Sequence, residues 1–114
     1  MIERRKHPRY KTRILAGYKR LDNPISTWQA EAEVKNISLG GMLFSAYEKM
    51  PVETPLILKL QIFIEDSTTA IVELHGRVVG VEDGIISYDT RVSFTDVDSL
   101  TGIKLKQFID YISE

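Results

Sequence analysis

Residues 56–64 read Leu-Ile-Leu-Lys-Leu-Gln-Ile-Phe-Ile. Leu56, Leu58, Leu60, Ile62 and Ile64 share one face of an extended chain, with Lys59 and Gln61 on the other. A period of two with one polar face predicts a half-buried antiparallel strand. Downstream, Glu65-Asp66-Ser67 turns the chain, and Val72, Leu74, Gly76 and Val78 line the next strand. Glu82-Asp83-Gly84 predicts a hairpin, since Asp-Gly supplies the positive-φ positions of tight primed turns. Ile86, Tyr88, Thr90, Val92 and Phe94 line the strand that follows. After Asp96 the period lengthens. Leu100, Ile103, Leu105, Phe108, Ile109 and Ile112 fit an amphipathic helix, with Asp98 or Ser99 as N-cap.

Upstream, a loop bracketed by Pro51 and Pro55 leads back to a short strand at Met42-Leu43-Phe44. Before it, Trp28, Ala30, Ala32 and Val34 alternate with Gln29, Glu31, Glu33 and Lys35, so Trp28 is expected in the core. Ile14 to Tyr18 reads as the first strand, and His75 as a surface residue. Six strands follow one another without intervening helices, so their pairing is antiparallel, and closing them into a ring removes exposed edges. The expected fold is mostly β: a small six-stranded antiparallel β-barrel, split or Greek-key-like, with a C-terminal α-helix over one opening. The expected boundaries are a basic N-terminal arm at 1–12, the barrel at 13–96 and the helix at 97–114. Together they make one domain, which suits 114 residues.

The chain has no Cys, which excludes disulfides and Cys-ligated zinc and fits a reducing cytoplasm. His7 and His75 are far apart and lack a third ligand at helical spacing, so neither a metal nor a cofactor is expected. No apolar run approaches the roughly 18 residues that span a bilayer. Charge begins at Glu3, so no signal peptide is expected, and the chain is assigned to the cytoplasm. Net charge is -1 but unevenly placed. Residues 1–20 hold eight basic residues against Glu3, a net +7; the rest of the chain carries seven basic and 15 acidic residues, a net -8. An anion is therefore drawn to the arm and not to the domain as a whole.

Two polar segments stand apart from the core pattern. Arg5-Lys6-His7-Pro8-Arg9 places two guanidinium forks four positions apart, with Pro8 stiffening the chain between them. Each fork can pair with a phosphate or with the O6/N7 edge of guanine, or stack on a base. In Asn36-Ile37-Ser38-Leu39-Gly40-Gly41, alternation turns the Asn36 amide and the Ser38 hydroxyl toward one surface, and Gly41 offers a bare N–H and close approach. A tight turn capped by Asn or Ser reads equally well from this second segment alone. Enzymatic constellations are absent. Ser38 lacks the preceding glycine and following helix of a nucleophile elbow, and Gly40-Gly41 lacks phosphate-loop or dinucleotide spacing.

Taken together, Arg5-x-x-x-Arg9 and, about 27 residues later, Asn36-x-Ser38-x-x-Gly41 resemble the PilZ domain family. The Glu3-Arg4-Arg5 lead-in, Pro8, Gly76-Arg77-Val78-Val79, Val92-x-Phe94 and the closing helix extend the likeness along nearly the whole chain. The resemblance implies a stand-alone bacterial receptor for the second messenger cyclic di-GMP, with no catalytic activity. It implies a six-stranded barrel with a flexible arm, the ligand clamped between them. Arg5 and Arg9 would contact guanine edges and phosphates, and Arg4 a further phosphate. Asn36 and Ser38 would hydrogen-bond the ligand from the barrel, and Gly41 would shape the turn. Asn36 in place of Asp removes a negative charge beside an anion. The chain departs from the family at Thr90-Arg91, where members often carry Gly; this is expected to affect packing more than binding. A downstream protein partner is implied; membrane insertion and nucleic-acid binding are not expected. Two rival readings remain: a PilZ-like interaction module that does not bind nucleotide, and a small-barrel single-stranded nucleic-acid binder.

Overall fold

The computed structural model describes residues 10–11, 14–65 and 68–113. Seven strands and one helix follow in order: β1 (Tyr10–Lys11), β2 (Leu15–Arg20), β3 (Gln29–Ile37), β4 (Gly41–Ala46), β5 (Pro55–Glu65), β6 (Thr68–Asp83), β7 (Tyr88–Thr95) and α1 (Ser99–Ile112). Six of the strands close a ring. β2-β3-β4 and β5-β6-β7 are two antiparallel meanders, joined edge to edge by the β2–β5 and β4–β7 pairings. The two-residue β1 adds to the outside of β3, with Tyr10 opposite Ile37 and Lys11 opposite Asn36. This pairing falls within the stretch assigned to the arm. The closed, mostly β barrel with a C-terminal helix is the architecture that the alternating runs imply.

Alternation holds where strands pair on both sides. Leu56, Leu58, Leu60 and Ile62 of β5 are buried, as are Val72, Leu74 and Val78 of β6. They meet Tyr18, Phe44, Ile37 and Val92 in one continuous core. The helix adds Leu105, Phe108 and Ile109 to that core and packs on β5 and β6, whereas Leu100 and Ile103 face outward. Tyr18 is fully buried. Its ring lies 5.2 Å from Phe44, and its hydroxyl accepts from the Tyr47 backbone N–H at 3.1 Å. Burial raises its phenol pKa.

Three expectations are corrected. Trp28 is 40% exposed, and the Lys59 ammonium sits 4.6 Å from the centre of its ring. The cause is a β-bulge: Ala16 pairs with Ala32 but Tyr18 with Gln29, so β3 carries one extra residue there, and Glu31 takes φ 61. One extra residue reverses which face a side chain meets. Secondly, the β6–β7 turn runs from Gly84 to Ser87, closed by Gly84 N–H donating to the Ser87 carbonyl at 2.8 Å. Ile86 is therefore 93% exposed at the tip instead of lining β7. Thirdly, neither Asp83 nor Gly84 takes a positive φ.

Gly41 has a steric reason to be glycine. A Cβ there would collide with the Val92 carbonyl oxygen on β7, with Ser93 Cα only 3.4 Å away. Gly41→Ala is expected to destabilise the fold by about 2 kcal/mol or more, because rigid backbone has to move; chemical denaturation measures it. Asp98 caps α1 by accepting from the Thr101 N–H at 2.7 Å, and that bond holds its carboxyl below the usual carboxylate value. A depressed folded-state pKa stabilises above the unfolded value and is lost as pH falls through the folded one. Helix stability should therefore drop as pH falls below about 4, and Asp98→Asn should flatten that acid limb in a circular-dichroism titration.

Candidate functional site

The sequence placed six residues in one site. Arg4, Arg5 and Arg9 lie outside the described residues. The other three sit where β3 turns into β4. Ile37 is the last residue of β3 and is buried in the core; Gly41 is the first of β4. Between them the turn is held from inside by one side chain. Ser38 Oγ accepts from the backbone N–H groups of Gly40 and Gly41 at 3.1 and 3.2 Å, and its hydroxyl donates to the Gly41 carbonyl at 3.3 Å. The Ser38 N–H also donates to that carbonyl, at 2.8 Å. Ser38 is only 6% exposed. Its hydroxyl proton and both lone pairs are thus engaged by the turn. The Gly41 N–H, read from sequence as bare, is taken by Ser38. The Gly40 carbonyl accepts from Phe94 N–H at 2.9 Å, tying the turn to the end of β7.

Asn36 is different. It is half-buried, and among the described residues its amide has no hydrogen-bond partner in the structure. It is flanked by Lys11 of β1 on one side and Leu43 of β4 on the other. The register continues outward: Leu43 faces Arg91 of β7, and Arg91 faces Gly80 of β6. Residues directly opposite across a ladder share a face. Asn36, Leu43, Arg91 and Gly80 therefore form a row on the outer surface of four adjacent strands, with Lys11 extending it at the edge. The row begins at Lys11, the residue that follows Tyr10 in the chain.

A second row runs beside the first, through Ser45, Asp89 and Glu82. Lys35 Nζ reaches across β4 to Asp89 at 2.8 Å, and this hydrogen-bonded pair raises the lysine pKa. Sequence reasoning missed this face, since nothing local connects residue 36 with 91. The Thr90-Arg91 departure also divides. Thr90 is fully buried and its hydroxyl donates to the Tyr88 carbonyl, whereas Arg91 is exposed in the Asn36 row. Thr90 thus packs in the core, while Arg91 stands in the row that holds Asn36. Among the described residues no cluster of three or more His, Cys, Asp or Glu is arranged to hold a metal ion, and no helix is long and apolar enough to cross a membrane.

The geometry separates two roles. Ser38→Ala should lower stability by about 1–2 kcal/mol in denaturant even without ligand, because two turn N–H groups lose their acceptor. Asn36→Ala should change stability by less than about 0.5 kcal/mol. Urea unfolding of the two variants side by side checks this.

Comparison with known proteins agrees with the fold. The family model described as the PilZ domain matches residues 3–111. No curated protein sequence matches significantly. Among solved structures, the inhibitor of motility MotI/DgrA of Bacillus subtilis superposes with a TM-score of 0.76 at 16% identity, covering 98% of this chain and 51% of that one. The PilZ domain of YcgR from Escherichia coli, solved with c-di-GMP, gives 0.70 at 13% identity, covering 97% and 92%. The K. pneumonia MrkH–c-di-GMP complex gives 0.66 at 15% identity, covering 96% and 52%. The chain thus spans about half the length of the MotI/DgrA and MrkH chains. At these identities the likeness is one of fold.

Proposed function

Because the chain belongs to the PilZ domain family, we propose that it is a cyclic di-GMP receptor whose ligand lies between the N-terminal arm and the Asn36 row. The observation that carries this reading is the exposed row itself. It starts at Lys11, two residues after the Arg5-x-x-x-Arg9 motif, and carries two side-chain donors without a partner among the described residues, the Asn36 amide and the Arg91 guanidinium. Arg5 and Arg9 supply forks for guanine edges and phosphates, and Arg4 a further phosphate contact. Asn36 hydrogen-bonds the ligand directly from the barrel. Ser38 and Gly41 act through the turn, whose shape holds Asn36 in place. Two of the structural neighbours are complexes with the same dinucleotide, which supports the choice of ligand.

The output is conformational. The N-terminal arm, whose residues 1–12 hold five basic residues against Glu3, clamps the dianion against the barrel, and the new surface engages a downstream protein partner. The chain works in the cytoplasm as a receptor and adaptor, not as an enzyme. The nucleic-acid alternative is weaker. A surplus of acid outside the arm opposes a long polyanion track, and the Asn36 row carries no aromatic ring for successive bases to stack on.

Isothermal titration with cyclic di-GMP tests the reading. The wild type should bind saturably, and the Arg5→Ala/Arg9→Ala double variant should lose at least ten-fold in affinity while unfolding at the same temperature. Absence of binding by folded wild type overturns the receptor reading in favour of an interaction module that does not use nucleotide.

A further inference from the structure

Among the described residues, arginine pairing leaves one guanidinium without a carboxylate. Among the described residues, Arg20 is bound by Asp22 at 2.9 Å and Glu48 at 3.3 Å, and Arg77 by Glu53 at 2.9 Å. Arg91 has no carboxylate partner among the described residues, although Asp89 sits two residues away on the same strand face; Asp89 is taken by Lys35. Beside Arg91 lies a hollow of about 190 Å³ lined by Leu43, Gly80, Val81, Glu82, Asp89 and Arg91. Its floor is open because Gly80 has no side chain. A Cβ built there would meet only the Arg91 Cβ, at 3.9 Å.

The chemistry of this hollow is mixed. It offers an apolar floor from Leu43 and Val81, a planar donor fork from Arg91, and carboxylate acceptors from Glu82 and Asp89 on the neighbouring row. A phosphate would face those two carboxylates, which opposes it. A purine with acceptors on one edge and donors on the adjacent edge fits the pattern. Guanine has O6 and N7 to accept from the fork and N1–H and N2–H₂ to donate to a carboxylate. Adenine presents its N6 amino donor where guanine has O6, so it meets the fork donor to donor. The volume is below the roughly 300–1,000 Å³ of whole-ligand pockets and suits one base. Arg91 is two strand spacings from Asn36, about 10 Å, so one dinucleotide can engage both.

We propose that Leu43, Gly80 and Arg91, with Glu82 at the rim, form a guanine subsite in which Arg91 reads the O6/N7 edge of one base of the bound dinucleotide. The proposal rests on the receptor reading above and adds to it a specificity-determining residue outside the two sequence motifs.

The test is titration of the full chain with cyclic di-GMP and with cyclic di-AMP, for wild type, Arg91→Ala and Arg91→Lys, with thermal unfolding of each. Arg91→Ala should bind cyclic di-GMP about ten-fold more weakly or worse, with an unchanged unfolding midpoint. Arg91→Lys should not restore it, because an ammonium lacks the fork. Cyclic di-AMP should bind poorly to all three, so that discrimination between the two ligands narrows in the variants. Arg91→Ala binding cyclic di-GMP as tightly as wild type would remove the subsite and leave the receptor reading standing. Equal weakening of both nucleotides would make Arg91 a phosphate contact and overturn the guanine assignment. A folded wild type that binds no cyclic di-GMP would overturn the receptor reading and the subsite with it.

Discussion

Closure of the ring at Gly41 is the constraint on which the rest of this structure depends. Two meanders of three strands make a barrel only if both joins form, and β4–β7 brings together residues some fifty positions apart in the chain. Loop-closure entropy opposes such a join, so the contact has to be close and well bonded. Glycine at 41 lets the β4 backbone reach Val92, and the Gly40 carbonyl receives the Phe94 N–H one step on. Ser38 holds the turn that aims both glycines. One short segment thus closes the barrel and, two residues earlier, puts the Asn36 amide on its outer face. Residues that a sequence motif offers as ligand contacts are here, in part, the closure of the fold.

That double duty explains what was legible in the sequence and what was not. β5 was legible because it is paired on both sides and packed on one face, so burial follows alternation from Leu56 to Ile62. The helix cap was legible because Asp98 acts on its own next turn. Trp28 was not. Alternation assumes a constant phase, and the extra residue of β3 at Ala30–Glu31, opposite Gly17 of β2, breaks it. Ile86 was misread for a related cause, since an apolar pair at a hairpin tip looks like strand until the turn residues are fixed. Of the candidate site, the sequence offered the motif residues as a set, and the structure describes three of them, Asn36, Ser38 and Gly41, where β3 turns into β4. The split between Asn36, which is unpaired, and Ser38, which is committed, depends on hydrogen bonds that spacing does not encode.

Electrostatics divides the labour further. Residues 1–12 carry five basic residues against Glu3, a net +4, while residues 13–114, with 10 basic and 15 acidic, are acidic. Among the described residues many barrel charges are paired, Lys35–Asp89 between strands, and Lys49–Asp83 and Arg77–Glu53 between the β4–β5 loop and β6. Exposed pairs of this kind add little stability each, but they cancel local fields. An anion approaching the barrel therefore meets few unpaired cations, and attraction comes from the arm, with a screening length of about 8 Å at physiological ionic strength. The barrel contributes direction instead of pull: an amide at 36 and a fork at 91, fixed on the ladder.

Fixing those groups on strands and not on loops requires the sheet to break register at the right places. Two bulges flank the row. One lies on β3 between Val34 and Asn36, the other on β6 between Val78 and Gly80. Bulges re-aim side chains and increase local twist, and they gather beside sites for that reason. Here the first bulge brings Asn36 opposite Leu43, and the second brings Gly80, instead of the valine before it, opposite Arg91. Without the second, a branched side chain would stand where the hollow now is. The floor of the site is thus a consequence of register, and register is set by the same close pairing of β4 with β7 that closes the barrel. A substitution that loosened Gly41 against Val92 would move the row as well as the ring, which ties the stability of this fold to the geometry of the proposed binding face.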